Sequence, residues 1–212
     1  LHGDLNVPVG LINASWGGTP AETWVPEAAV NSNESLRNAA ARLSTFDWWP
    51  SAAGKAWNGM VAPLTGHAIA GAIWYQGESN VGTWQTYRPL METLIGSWRK
   101  AWGREFPFYL VQIAPYDYGN NLDAAYLREQ QSALQQFPRT GMVVISDLVD
   151  NVKDIHPVNK HDVGLRLANM ALGDYYGRPV GEFRNPVFKG IQKEKSRMVL
   201  EFNHAPGGVV LR

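Results

Sequence analysis

The chain has 212 residues, enough to bury a sizeable core in one domain of ordinary size. Lys plus Arg and Asp plus Glu number 19 each, so the formal net charge is zero and no block of like charge favours a nucleic-acid or anionic-membrane partner. Cysteine is absent, which excludes disulfides and thiolate chemistry, and no apolar run approaches the roughly 20 residues of a membrane span.

Four short apolar runs predict the strands of a mostly parallel sheet. Three of them are nearly continuous rather than alternating, which is typical of strands that are covered on both faces. The runs are PVGLINAS (8 to 15), AIAGAIWYQ (68 to 76), FPFYLVQIA (106 to 114) and GMVVISD (141 to 147).

Helical patterns lie between or after these runs. Leu90, Leu94, Trp98 and Trp102 recur every four residues and predict an amphipathic helix between the second and third runs. Similar patterns occur in LDAAYLREQQSALQQF (122 to 137) and NKHDVGLRLANMALGDYYG (159 to 177), with a weaker one in AAVNSNESLRNAAARL (28 to 43). Strands that alternate with helices predict a mostly parallel sheet with helices on both sides.

The character of the sequence changes near residue 179. Met198, Leu200 and Phe202 alternate with polar neighbours, which predicts half-buried β structure. We therefore predict a main α/β domain over residues 1 to 178 and the beginning of a β-rich accessory region over residues 179 to 212.

The strand ends carry residues suited to acyl transfer. Ligands bind outside the carboxyl ends of the strands in an open parallel sheet. Gly17 and Gly18 can direct backbone N–H groups at an oxyanion, Gln76 offers an amide donor, and His156 offers a base with Asp154 two residues before it. We expect the first, second and fourth runs to end at one cleft lined by Gly17, Gln76 and His156.

Six motifs follow one another along residues 5 to 175: PVGLINASWGGTPAETW, NGMVAPL, GAIWYQGESN, FPFYLVQIA, LREQQ and DIHPVNKHDVGLRLA. Together they resemble the sialate O-acetylesterase family, a branch of the SGNH (GDSL-like) hydrolases. The resemblance implies a three-layer, flavodoxin-like α/β sandwich with a serine nucleophile. It assigns the glycine donor of the oxyanion hole to Gly17 or Gly18, the amide donor to Gln76 and the base to His156.

The nucleophile is the departure from that pattern. In that family the serine stands in a motif that resembles Gly-Gln-Ser-Asn, upstream of the PVGLI strand. Residues 1 to 212 contain no such motif. We therefore expect the first strand and its serine to be missing and to be supplied by an amino-terminal segment or by a partner. Ser79, in Gly-Glu-Ser-Asn, is the alternative within the chain, and Ser15 is a further hydroxyl at a strand end. Either serine would need a base in hydrogen-bond reach.

Three aspartates compete to orient the histidine. The wider superfamily pattern is Asp-x-x-His, but Lys153 stands at that position and Asp154 is one residue closer to His156. Asp147 and Asp150 are the alternatives. The other histidines have no metal-ligand spacing, so we expect no metal and no cofactor.

The chain is rich in aromatic residues, which sugar-binding clefts use because pyranose faces are apolar and stack on rings. Aromatic residues near the predicted loops include Trp48, Trp49 and Trp84, and we expect three residues to contact the substrate: Glu78, Trp74 and Trp24.

The function expected from these observations is a serine esterase that removes O-acetyl groups from sialate or related glycans through an acetyl-enzyme. One alternative is a non-catalytic carbohydrate-binding protein on the same fold, and another is an acetylxylan-type esterase that uses Ser79. The expected partner is an O-acetylated carbohydrate. The expected location is secreted or periplasmic, although LHGDLNVPVG at the start carries no signal-peptide pattern.

Overall fold

The computed structural model describes residues 1–119 and 122–209 and contains the predicted parallel sheet. Its strand order is β1-β2-β3, with Ala72 opposite Phe108 and Phe108 opposite Thr140. The strands are β1 (Ala72–Tyr75), β2 (Phe108–Val111) and β3 (Thr140–Val143). The second, third and fourth apolar runs are therefore confirmed as neighbouring strands.

The predicted crossover helices are also present. The longest is α4 (Tyr87–Trp102), whose predicted stripe is buried at Leu90, Leu94 and Trp98, and which is followed by Gly103 in a left-handed conformation. The α-helices are α1 (His2–Leu5), α2 (Glu27–Asn31), α3 (Glu34–Ala40), α4 (Tyr87–Trp102), α5 (Asp123–Ala133) and α6 (Lys160–Met170). No helix in the described parts of the chain combines the length and the apolar character that crossing a membrane requires.

The sheet has a separate core on each face. Side chains alternate along β2, so Phe108 and Leu110 pack on one face and Tyr109 and Val111 on the other. The first face meets α4 and α5 through Leu90, Leu94, Ile95 and Leu127, and the second meets α6 through Val163, Leu167 and Met170. The result is the expected three-layer α/β arrangement.

The run at 8 to 15 forms no strand in the structure, which corrects the prediction. A strand requires a neighbouring backbone to bond with, and the described residues provide none for this run. Its apolar side chains stay in solvent, with Leu11 86% and Ile12 54% exposed. Ile73 on β1 is also 64% exposed. β1 is thus an edge strand with an apolar side chain left uncovered.

Two further regions refine the prediction. The weak helical pattern at 28 to 43 is divided into α2 and α3, because the side chain of Asn33 accepts a hydrogen bond from the Leu36 N–H and begins a new helix. The carboxyl-terminal pattern forms an antiparallel hairpin of β4 (Val187–Glu194) and β5 (Arg197–Asn203). The division into a main domain and an accessory region stays a prediction.

Candidate active site

The turn from Trp16 to Thr19, called here the Gly17–Gly18 turn, is held from both sides. On one side the Trp49 Nε1–H donates to the Gly17 carbonyl at 3.0 Å. On the other, the Ser79 hydroxyl donates to the Gly18 carbonyl. Within the residues that the structure describes, the N–H groups of both glycines donate no hydrogen bond. The turn therefore presents two backbone donors that are available to an anion.

Gly18 can have no side chain here. Its φ is +73°, and a Cβ would lie 2.1 Å from Cζ2 of Trp49. Only glycine adopts this backbone conformation without strain while an indole packs directly against it. The contact fixes the position of the turn relative to the loop that carries Trp49.

Gln76 follows β1 and is anchored at both its backbone and its side chain. Its carbonyl accepts hydrogen bonds from the Tyr87 hydroxyl at 3.0 Å and from Gln131 Nε2 at 3.1 Å. Its own Nε2 donates to the Thr19 carbonyl at 3.1 Å and to Asn80 Oδ1 at 2.7 Å. An oxyanion would have to take the place of one of these two acceptors, so the role of Gln76 as an oxyanion donor stays a prediction.

A buried polar network supports the turn and Gln76 from below. Asn80 is 1% exposed and its Oδ1 also accepts from the Ala21 N–H at 2.9 Å. Its Nδ2 donates to Glu22 Oε2 at 2.8 Å. Glu22 is equally buried, its Oε1 has no partner among the described residues, and burial raises its pKa. Burial thus disfavours the charged form of Glu22, whereas the hydrogen bond from Asn80 opposes that effect.

Asn80 and Glu22 were not singled out in the sequence. Both stand inside motifs that were recognised, WYQGESN and ASWGGTPAETW. The sequence did show a polar residue after each glycine-containing loop. It did not show that Asn80 and Glu22 pair, because they are 58 residues apart in the chain.

The predicted base lies in an irregular loop and is open to solvent. The side chain of His156 is 88% exposed. Asp154 Oδ1 lies 3.8 Å from His156 Nδ1, longer than a hydrogen bond, and accepts the His156 N–H at 2.9 Å. Asp147 is instead held by both terminal nitrogens of Arg166, at 2.7 and 2.6 Å. Asp154 therefore contacts the histidine loop through the His156 backbone N–H, and its role as the orienting acid stays a prediction.

Glu78 connects the end of β1 to the histidine loop electrostatically. Burial raises the pKa of Glu78, whereas the charges of Lys160 and His156 oppose that rise. Lys160 in turn lies over the Tyr75 ring, with Nζ 4.9 Å from the centroid. Burial, together with the Glu78 charge, raises the pKa of Tyr75 to about 12. The carboxyl end of β1 and the loop before α6 therefore lie at the same edge of the sheet.

Neither candidate serine contacts the histidine in the described residues. The Ser15 hydroxyl donates to Asn13 Oδ1 at 2.6 Å, and the Ser79 hydroxyl donates to Gly18 as described above. Both serines are exposed. The Ser15 bond is local, whereas the Ser79 bond joins the loop after β1 to the Gly17–Gly18 turn.

Trp24 and Trp74 differ from the expectation that they contact substrate. They are 3% and 8% exposed and meet edge to face, with centroids 6.1 Å apart, inside the main core. Trp24 Nε1 donates to Thr19 Oγ1 at 2.9 Å. Large rings with this much apolar surface are stabilised by burial, so they support the Gly17–Gly18 turn from within.

The fold defines a parallel α/β domain, and the Gly17–Gly18 turn and the histidine loop give it a candidate site for acyl transfer. A family model described as carbohydrate esterase, sialic acid-specific acetylesterase, matches residues 2–173. The chain belongs to this family.

Relatives and a solved structure agree with that membership. The sialate O-acetylesterases of Homo sapiens and Pongo abelii are each 31% identical over 219 residues, covering 94% of this chain and 41% of the relative. The crystal structure of a carbohydrate acetylesterase from Xanthomonas citri is 33% identical, with a TM-score of 0.80 over 97% of this chain and 46% of that one. The chain thus spans less than half the length of these proteins.

Proposed function

We propose that this chain forms the oxyanion and base side of a serine esterase that removes O-acetyl groups from sugars. The proposal rests on the N–H groups of Gly17 and Gly18, which donate no hydrogen bond within the described residues. They lie at the sheet edge shared with Glu78 and the His156 loop. Donors that are fixed in advance stabilise the charge that develops on an ester carbonyl oxygen. Family membership supports the same reaction.

In the proposed mechanism, a serine oxygen attacks the acetyl carbonyl carbon and His156 takes the serine proton. Because Nδ1 is the ring nitrogen near Asp154, Nε2 is the atom available for this transfer. The glycine N–H groups then stabilise the oxyanion, with Gln76 as a further donor. The carbon–oxygen bond to the sugar breaks, and the sugar oxygen takes the proton from His156. Water, deprotonated by His156, then attacks the acetyl carbonyl; the bond to the serine oxygen breaks, acetate leaves, and the serine oxygen takes the proton back from His156.

The serine is proposed to come from outside residues 1 to 212, on a strand that pairs with the free edge of β1. The exposure of Ile73 on that edge and of Leu11 and Ile12 in the preceding run supports this arrangement. A strand inserted there would cover apolar side chains and bond to a backbone edge that would otherwise invite association.

Ser79 remains the alternative nucleophile, and a carbohydrate-binding protein without catalysis remains the alternative function. The second is favoured by the absence, among the described residues, of a hydrogen bond between His156 and any serine hydroxyl.

The test is ester hydrolysis by the longest natural form of the protein that contains this chain. We expect His156→Ala to lower kcat for 4-nitrophenyl acetate by about 10²–10⁴-fold, the usual contribution of a general base. His161→Ala is the matched control, because that exposed histidine also lies beside an aspartate, Asp162, at 3.0 Å. Equal rates for the two variants would refute the role of His156. Loss of activity in Ser79→Ala would assign the nucleophile to this chain, whereas an inactive wild type that binds acetylated sugar would favour the binding protein.

Gln76 has its own test. If its amide acts on the oxyanion, Gln76→Ala lowers kcat more than it raises KM, because the developing charge exists only in the transition state. A change confined to KM would make Gln76 a contact to the ground-state sugar.

The proposed location is secreted or periplasmic, where glycans with O-acetyl groups are accessible. Cell fractionation followed by immunodetection tests this, and recovery of the protein only in the cytosol would contradict it.

A further inference from the structure

Three aromatic side chains form a surface cluster beside the candidate site, called here the aromatic ledge: Phe46 and Trp48, which are exposed, and Trp49, which is partly buried. The Trp48 and Trp49 rings are stacked at 5.3 Å with an interplanar angle of 5°, and Phe46 lies 5.7 and 5.4 Å from them. The Trp49 N–H donates to the Phe46 carbonyl at 3.1 Å, which closes the loop into a tight turn. The rings are therefore held as a unit.

Phe46 and Trp48 of the aromatic ledge are exposed, whereas the tryptophans of the core are buried. Trp48 is 72% and Phe46 44% exposed, whereas Trp24, Trp74 and Trp98 are all below 10%. Exposed apolar area of this kind, concentrated at one place, is typical of a binding surface. Stacking on Trp49 covers one face of the Trp48 indole. The other face is available to a ligand, because Trp48 is largely exposed.

The ledge lines a cavity of about 460 Å³ that is open to solvent. Besides the rings, its lining includes hydrogen-bonding side chains, among them Thr45, Asp47 and Lys55. An apolar face next to donors and acceptors matches a pyranose, which has C–H groups on its faces and hydroxyls around its rim. An acyl chain would have no use for the polar groups.

The cavity is joined to the candidate active site by direct contacts. Trp49 donates to the Gly17 carbonyl, and its ring excludes any side chain at Gly18. The cavity therefore borders the Gly17–Gly18 turn through Trp16 and Trp49, which both line it.

We propose that the aromatic ledge is the subsite that binds the sugar ring of the O-acetylated substrate, with Trp48 as the stacking platform. This inference rests on the proposed function and adds where the carbohydrate binds. The recognised class is a pyranose that carries an acetyl ester.

The test compares two substrates in the longest natural form of the protein. We expect Trp48→Ala to lower the ratio of kcat/KM for an O-acetylated methyl hexoside to that for 4-nitrophenyl acetate by about tenfold, because only the first has a sugar ring to stack. Phe188→Ala is the matched control, since Phe188 is 56% exposed on β4 and does not line the cavity. An unchanged ratio in Trp48→Ala, or equal losses on both substrates, overturns the proposal.

A binding measurement keeps the inference separate from catalysis. Saturation-transfer NMR with the methyl hexoside should show contact in the wild type and a signal reduced several-fold in Trp48→Ala, whether or not the ester is hydrolysed. If no esterase activity is found but this difference persists, the proposed function fails and the sugar subsite stands. Equal signals in the two proteins, or a Trp48 already shielded from iodide quenching without sugar, would mean that another surface covers the ledge and would refute it.

Discussion

Replacing Asn80 with alanine tests whether the buried network holds the candidate site together. The substitution removes the acceptor of the Ala21 N–H and of the Gln76 amide, and the donor to Glu22. Gln76 is only partly buried and can regain a bond from water, but Ala21 and Glu22 are 0% and 1% exposed. Two buried polar groups are thus left without partners.

Each such group costs about 1–3 kcal/mol, so Asn80→Ala should reduce the free energy of unfolding by about 2–6 kcal/mol. Urea denaturation followed by tryptophan fluorescence measures this quantity. Asn38→Ala on α3 is the matched control, because it removes the same atoms from an exposed side chain and should change stability by about 0.5 kcal/mol or less. A loss below about 1 kcal/mol for Asn80→Ala would refute the reasoning.

A second variant separates hydrogen bonding from side-chain volume. Asn80→Asp keeps the shape and one acceptor but places an oxygen where the amide donated to Glu22. Two facing carboxyls are compatible only when one is protonated. The variant should therefore be destabilised at pH 7 and partly recover at pH 5. The same loss at both values would mean that the network is not held by this bond.

Three further outcomes follow from the geometry. Gly18→Ala should lower the unfolding free energy by about 1–3 kcal/mol, because its Cβ would meet an indole carbon at 2.1 Å and its φ is +73°. Gly17→Ala, which has open space around it, should lower the unfolding free energy less. Thermal unfolding measures both losses, and equal losses would contradict the steric argument. The pKa of Glu22 is raised above 4.5 in the folded state, so its contribution to stability is greatest below pH 4.5 and is lost as the pH rises through the folded-state pKa. Glu22→Gln should therefore flatten the dependence of the unfolding free energy on pH, measured by denaturation at several pH values. An unchanged dependence would rule out Glu22 as its source. Asp154→Asn should lower kcat for 4-nitrophenyl acetate more than Asp147→Asn does, because Asp154 accepts the His156 backbone N–H whereas Asp147 is held by Arg166. The reverse result would reassign the orienting acid.

Much of the sheet could be predicted because the needed information is local. Continuous apolar runs identified β1, β2 and β3, and a four-residue recurrence identified α4. The run at 8 to 15 has the same composition, but a strand also needs a neighbour, and composition does not say whether that neighbour is present. The break between α2 and α3 was missed because the Asn33 side chain competes with the helix through a single local bond.

The sequence could predict which loops form the candidate site but not which side chains pair within it. The rule that ligands bind at the carboxyl edge of a parallel sheet drew attention to Gly17, Gln76 and the histidine loop, and their catalytic roles stay predictions. It could not say that Trp24 and Trp74 pack inside, because the burial of an indole depends on distant segments of the chain. Nor could it reveal the bond from Asn80 to Glu22, which exists only once the turn and the end of β1 are together.

The mutual dependence of Glu22, Gln76 and Asn80 also has an evolutionary consequence. A change at any one of them removes a bond from at least one of the others, so a lineage that alters a single position passes through a destabilised intermediate. Accepted replacements at these positions should therefore occur in pairs or triplets across diverging relatives, while the exposed Trp48 is free to change singly as glycan preference shifts. Reconstructed ancestral sequences would show this contrast as correlated substitution in the buried network and independent substitution at Trp48 of the aromatic ledge.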